Sequence, residues 1–480
     1  QFGLDVAPGA TPALEFAARA AADAATEAAE VVSRTSIFNG YVGVFIAAFL
    51  TTIIATPIMR RLAVAHGIID SPSDPRKVHK IPVAYLGGAA VYLGLVAAIF
   101  YSIMAVRFQW LADFHPSEHA PLRAQRIMPW SIMLGMTVIM LVGLLDDIVG
   151  ISPRLKIAGQ LFAAAALAAD QIGVQVARGF IMPVAETLGI PTIELPLPGS
   201  GAITETVGFA IDLPTTLPLI GSAIKFDLIY WTGAALIAIF VLGGCNASNL
   251  IDGLDGLLSG VTTIAAAGIL VIALSLALTD DGPRDTQRIV LALAMLGACM
   301  GFLPHNFNPA TIFLGDCGSL LLGYCTVVLI LMLGDTGRTH LVIAGLVIYA
   351  IPIIDTTLAI VRRKLAGKSF SEADADHLHH MLKRNLGVKG AVFTLYGIGI
   401  GFAALGVAAS FGRARLIYAL ILIFASYIGV TAIKIARRKV IEQQMHDRTG
   451  GFHPAETGRP GKTSEPAAKK APDPAPANAP

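Results

Sequence analysis

The sequence predicts an all-α, polytopic membrane protein of about 11 transmembrane helices whose polar loops form a catalytic face on the cytoplasmic side. Three observations carry this reading. Of 480 residues, 55% are apolar and only 14% charged. Apolar runs of roughly 20 residues, the length that crosses a hydrocarbon core, recur along the chain. The polar clusters fall between those runs rather than within them. A soluble enzyme is excluded on composition, and no nucleic-acid partner is expected. The four cysteines lie in or beside apolar segments without CxxC spacing, so they read as small packing residues rather than as disulfides or zinc ligands.

Spans are expected at 41–63, 85–106, 128–145, 155–170, 228–244, 257–278, 289–303, 319–333, 341–361, 391–411 and 415–435. Every polar cluster of interest follows an odd-numbered span, so all of them face one compartment. On that side Lys and Arg number 18, against 10 in the opposite loops, and the positive-inside rule makes it cytoplasmic. Around this 41–440 membrane domain, residues 1–40 read as an external Ala-rich segment, and a start at Gln1 fits removal of an upstream stretch. The Pro-, Gly- and Thr-rich insert at about 171–227 suggests an external hairpin or short strands. Residues 450–480 lack the apolar content to order themselves and read as a disordered cytoplasmic tail.

The first cytoplasmic loop, Asp70-Ser-Pro-Ser-Asp-Pro-Arg-Lys-Val-His-Lys80, is followed by Leu86-Gly-Gly88. Arg76, Lys77, His79 and Lys80 suit a phosphorylated substrate; as a positive-inside anchor the same charges have a second reading. Span three ends in Asp146-Asp147, two adjacent carboxylates that repel unless a cation or a raised pKa relieves them. Asn246-Ala-Ser-Asn-Leu-Ile-Asp-Gly-Leu-Asp-Gly256 places two amides and two carboxylates in ten residues at a bilayer edge. Helix capping accounts for one or two of these; hard oxygen donors for Mg²⁺ and a substrate phosphate account for all four.

After span seven, His305 to Ser319 contains Asn306, Phe313 and Gly315-Asp316-Cys317-Gly318-Ser319, a turn into a helix that suits a phosphate. Asp355, inside span nine, is an intramembrane acid with either a functional or a pairing role. The last loop carries Asp374-Ala-Asp-His-Leu-His-His380. If helical, it places His377 and His380 on one face and His379 on another, which disfavours zinc coordination by this segment alone. Imidazoles beside Arg362, Arg363, Lys383 and Arg384 suit a diphosphate, or form a solvated basic loop.

In order, and across nearly all of residues 60 to 400, these motifs resemble the bacterial polyprenyl-phosphate N-acetylhexosamine-1-phosphate transferases. The first loop and the His-Leu-His-His run resemble the branch that initiates O-antigen, enterobacterial common antigen or teichoic acid synthesis. The phospho-MurNAc-pentapeptide branch has three adjacent histidines instead. The resemblance implies that Asn249 and Asp316 hold Mg²⁺, with Mn²⁺ as the alternative ion. Asp146 and Asp147 would act on the lipid phosphate or the metal, as nucleophile, base or organiser. Phe313 would stack on uracil, Asp252 or Asp255 would contact the nucleotide sugar, and His377, His379 and His380 would bind phosphate. Asn246 and Asn306 join the substrate-binding set.

Two positions depart from the pattern: Ala84, where Pro is usual, and Cys317, where Thr is usual. Expected partners are a UDP-N-acetylhexosamine, undecaprenyl phosphate, the lipid bilayer of a bacterial inner membrane and, in a homodimer, a second copy. The competing class is an ion-coupled transporter, which favours midplane sites on broken helices and internal repeats.

Overall fold

The computed structural model describes residues 38–70, 82–108, 127–190, 192–196, 203–217, 221–279, 284–365 and 377–411, with five isolated positions beyond. Arg76, Lys77, His79, Lys80, the last expected span at 415–435 and both tails lie outside the described residues. The chain divides into residues 1–432 and 433–480, and the first unit carries everything below.

Twelve α-helices run in chain order: α1 Val42–Ala65, α2 Gly87–Arg107, α3 Trp130–Val149, α4 Pro153–Ala169, α5 Gln175–Leu188, α6 Leu228–Ile251, α7 Leu257–Thr279, α8 Asp285–Asn306, α9 Gly315–Leu333, α10 Thr339–Ile348, α11 Ala350–Leu365 and α12 Leu378–Ser410. Among the described residues, eight are long and apolar enough to cross a membrane, or nine when α10 and α11 count as one bent span. The expected count of 11 is not confirmed, since the eleventh expected span lies outside the described residues. α4, at 17 residues, matches the fourth expected span but is short for a perpendicular crossing.

Span nine is broken rather than continuous, with a 78° bend between α10 and α11. Pro352 explains the break: it has no N–H to give the carbonyl of Ile348, where α10 ends, and its ring clashes with that turn. In α12 the backbone leaves helical geometry at Gly387 (φ 71°), so its first turns form a separate short helix over the histidine segment.

The outer face of α1 exposes Val42, Ile46, Leu50, Ile54, Ile58 and Leu62 at four-residue spacing, an apolar stripe suited to lipid. At the centre stands α9, buried from Cys317 through Leu333. α2, α3 and α6 reach it through small residues: a Cβ on Gly88 would lie 2.1 Å from Gly318 N, and one on Gly143 would lie 2.5 Å from Cys317 Cα. Such close backbone approach drives helix association where lipid offers no hydrophobic contrast. All four cysteines are free and buried.

At the far end of α9, buried charges are paired. Asp335 forms an ion pair with Arg284 and accepts from Gly173 N at 3.0 Å, while Arg288 pairs with Asp285 and donates to Met332 O at 3.0 Å. Burial raises the Asp335 pKa, and the two arginines oppose that rise. On the same side the 171–227 insert begins with α5, a helix that the Pro/Gly-rich composition hid. It continues as three antiparallel strands, β1 Thr192–Pro196, β2 Ile203–Leu217 and β3 Gly221–Asp227, in the order β1-β2-β3. Asp227 closes the sheet onto the bundle: its Oδ1 accepts from Thr206 Oγ1 at 2.6 Å and caps α6 through Tyr230 N at 3.0 Å.

Candidate active site

The opposite ends of α3, α4, α6, α8 and α9 converge on a cavity of about 290 Å³ lined by Asp70, Tyr85, Asn249, Asp252, Asp255, Asn306, Phe313, Asp316 and His380. Its frame is backbone. The segment before α2 clasps the one before α9: Phe313 N donates to Ala84 O at 2.9 Å, Gly87 N to Phe313 O at 3.0 Å, and Gly88 N to Leu314 O at 2.9 Å. A side chain at Gly87 would meet Phe313 O at 2.4 Å. The Leu86-Gly-Gly88 run is thus a clasp that sets the Phe313 ring, 6.2 Å from the ring of Tyr85.

Asp147 caps α9. Its Oδ1 accepts from Asp316 N at 2.8 Å and its Oδ2 from Cys317 N at 3.0 Å, where the helix dipole favours negative charge. Gly315 (φ 68°) leaves room, because a Cβ there would lie 2.4 Å from Asp147 Oδ2. Both oxygens are committed to amides, so the geometry gives Asp147 the role of positioning Asp316. Asp146 faces the other way, accepting from Ile151 N at 2.9 Å and from Lys156 Nζ at 2.6 Å. Lys156 also reaches Asp316 Oδ2 at 2.5 Å, and Asn249 Nδ2 donates to Asp316 Oδ1 at 2.8 Å.

Asp255 Oδ2 accepts from Asn308 Nδ2 at 2.8 Å and from Ala310 N at 3.0 Å. The Asp252 carboxylate accepts no hydrogen bond from a described residue. Burial, reinforced by the charges of Asp316, Asp147 and Asp255, pushes its pKa up to about 8. Burial also raises the Tyr85 phenol, as do the charge of Asp70 and its hydrogen bond with the ring hydroxyl, so Tyr85 stays protonated.

Several expected site residues are placed differently. Asn246 turns its amide to Gln160 Oε1 (2.9 Å) and Leu242 O (2.8 Å), one helical turn from Asn249, and does not line the cavity. Asn306 lines it with an amide already in use, accepting from Ser259 Oγ at 2.9 Å and donating to Ile312 O at 3.1 Å. His377 and His379 are buried against Asp355, and only His380 of the three reaches the cavity. The expectation that His377 and His380 share a helical face fails because His377 precedes the helix, with φ −55° and ψ 150°.

Lys156 and Tyr85 were missed as site residues. Lys156 counts with Arg154 among the positive-inside charges; its signal is a cation ten residues past Asp146 at the start of the next span. Among the described residues six carboxylates, from Asp70, Asp146, Asp147, Asp252, Asp255 and Asp316, lie in or beside the cavity, and Lys156 bridges two of them, Asp146 and Asp316. Hard oxygen donors in such excess, one of them without a hydrogen bond, fit a divalent cation.

Fold and site together define a multi-pass membrane protein with a carboxylate-lined pocket at its helix ends. The sequence model described as glycosyl transferase family 4 matches residues 129–334. The chain is 31% identical over 361 residues to a probable undecaprenyl-phosphate N-acetylglucosaminyl 1-phosphate transferase of Bacillus subtilis, covering 75% of this chain and 82% of that one. It is likewise 31% identical over 420 residues to the decaprenyl-phosphate N-acetylglucosaminephosphotransferase of Mycolicibacterium smegmatis (82% and 87%). A phospho-N-acetylmuramoyl-pentapeptide-transferase of Bacillus cytotoxicus matches at 28% over 373 residues (75% and 94%). The chain belongs to the polyprenyl-phosphate N-acetylhexosamine-1-phosphate transferase family.

Proposed function

We propose that the protein transfers GlcNAc-1-phosphate from UDP-GlcNAc to undecaprenyl phosphate, releasing UMP, at the cytoplasmic face of a bacterial inner membrane as the first membrane step of an envelope glycan. The observation that carries this reading is the convergence of Asn249, Asp252, Asp255 and Asp316 with an aromatic ring and an imidazole on one cavity at helix ends.

A lipid phosphate at headgroup depth reaches that level from the bilayer. Asp146 and Lys156 stand at its margin beside the exposed apolar side chains of Leu145, Ile148, Val149 and Ile157. Lys156 draws the acceptor phosphate toward Asp316, and Asp147 holds Asp316 in place through the α9 amides. Phe313, backed by Tyr85, offers a ring to the uracil, Asp252 and Asp255 meet the nucleotide sugar, and His380 meets its diphosphate. The loop with Arg76, Lys77, His79 and Lys80, outside the described residues, is assigned to phosphate binding on sequence grounds. Asn249 and Asp316 would hold Mg²⁺. When bound, that ion neutralises the diphosphate and the charge that develops on the departing UMP.

An acceptor phosphate oxygen attacks the sugar-linked β-phosphorus, the bond from that phosphorus to the UMP oxygen breaks, and polyprenyl diphosphate sugar and UMP result. GlcNAc is favoured over phospho-MurNAc-pentapeptide because the N-acetylglucosamine transferases match at 31% over 361 and 420 residues, whereas pentapeptide transferases match at 28% over 373 residues or at 32% over only 195, and the histidines here are not three in a row. The test is UMP release by purified protein given undecaprenyl phosphate, Mg²⁺ and either UDP-GlcNAc or UDP-MurNAc-pentapeptide. UMP with the first donor alone is expected; UMP with neither, or only with the second, refutes the proposal.

A further inference from the structure

Apart from the cavity, one buried cluster among the described residues has donor chemistry of its own. Asp355 of α11 lies against the start of α12: its Oδ1 accepts from Leu378 N at 2.7 Å, which turns Oδ2 toward His377 Nδ1 at 2.9 Å and His379 Nδ1 at 3.7 Å. One ligand atom from each of the three residues falls within 4.8 Å of the other two. The side chains are sealed, with relative exposures of 1% for Asp355, 6% for His377 and 1% for His379.

His379 is the informative member. Among the described residues neither of its ring nitrogens has a hydrogen-bond partner, and leaving a buried polar group orphaned in this way is destabilising. The His377–Asp355 contact alone does not remove that cost. A cation between the three side chains removes it at one His379 nitrogen, taking an imidazole nitrogen from each histidine and Oδ2 from the carboxylate.

We infer that Asp355, His377 and His379 form a second cation site, selective for a zinc-like transition ion and separate from the carboxylate pocket. Two neutral imidazoles with one carboxylate suit Zn²⁺ or Co²⁺, whereas Mg²⁺ prefers the all-oxygen donors around Asp316. The Leu378 amide on Oδ1 is the outer hydrogen bond that orients the ligating carboxylate. The site pins α11 to the helix that carries His380, whose ring centroid lies 4.3 Å from that of His379. It also braces the pocket, because a Cβ on Gly253, next to Asp252, would lie 2.4 Å from His379 Nε2.

The test uses the full chain in detergent micelles, purified without a histidine tag, stripped with EDTA and held in excess Mg²⁺, then titrated with Co²⁺ while its d–d absorption is read. One equivalent of Co²⁺, displaced by Zn²⁺, is expected. His379→Gln weakens it by more than about 100-fold, beyond the effect of outer-shell changes, and Asp316→Ala leaves it unchanged. No signal in the wild type, an unchanged signal in His379→Gln, or loss in Asp316→Ala overturns the inference. Should His379→Gln fail to fold, X-ray absorption of the Zn²⁺-loaded wild type decides. Two imidazole nitrogens near 2.0–2.1 Å support the site, and an all-oxygen or sulfur-containing shell refutes it.

Discussion

The two ends of α9 use the same ingredients to opposite effect. At the Leu333 end, Asp285 and Asp335 are buried beside Arg288 and Arg284, each acid matched by a guanidinium. At the Gly315 end, the described residues bring six carboxylates to the pocket and its margin, and Lys156 bridges only Asp146 and Asp316. Charge that is balanced within the chain holds helices together; charge left unbalanced is kept for a ligand. The contrast therefore separates a structural end from a chemical one without reference to sequence motifs.

The sharpest way to break that comparison is to remove one acid from each end. Asp316→Ala should lower kcat by at least about 10²–10³-fold, the scale of losing a main electrostatic group, and leave thermal unfolding in detergent nearly unchanged. Asp335→Ala should do the reverse, costing about 3–5 kcal/mol because Arg284 is left buried and uncompensated, with kcat per folded molecule retained. A kinetic defect in Asp335→Ala without loss of stability would dissolve the distinction. Lys156→Met comes next: UMP release should fall about 10²-fold, and Lys156→Arg should restore only part of it, since a planar fork does not replace a point charge between two carboxylates.

Packing gives a smaller effect. Gly88→Ala drives a methyl into the Gly318 backbone and should destabilise by about 1–3 kcal/mol, whereas Gly243→Ala on α6 meets nothing within 4 Å and should be neutral. Equal melting temperatures for the two variants would contradict the assigned contact.

The pH dependence is the mildest. Asp252 holds its proton up to about pH 8, and a cation binds only the ionised form, so Mg²⁺ affinity should rise as pH climbs from 7 to 8, by at most about tenfold per unit. Asp252→Asn should flatten that rise, as read by calorimetric titration; an undiminished slope would remove Asp252 from the cation's surroundings.

Much of this was legible in sequence because insertion into lipid leaves long apolar runs and places acids between them. Asp146, Asn249, Asp252, Asp255, Phe313, Asp316 and His380 were all named from their motifs, and all but Asp146, at the margin, line the cavity. What sequence did not reveal are facts of side-chain direction. Asn246 differs from Asn249 by one residue type in no way, yet it faces α4. His377 lies one residue before its helix and so points at Asp355. Lys156 and Tyr85 acquire their roles only when α4 and the α2 clasp close on α9. The α10–α11 bend was foreshadowed by Pro352, but an apolar run reads as continuous until the missing N–H is counted.

The central claim, that the unbalanced end serves transfer of a sugar phosphate rather than of a sugar, is tested most directly with UDP-GlcNAc carrying ³²P in its β-phosphate. With undecaprenyl phosphate and Mg²⁺, the label should move into the lipid fraction with the wild-type protein and remain in the nucleotide with Asp316→Ala. Label that stays in UDP while GlcNAc enters the lipid would contradict the account.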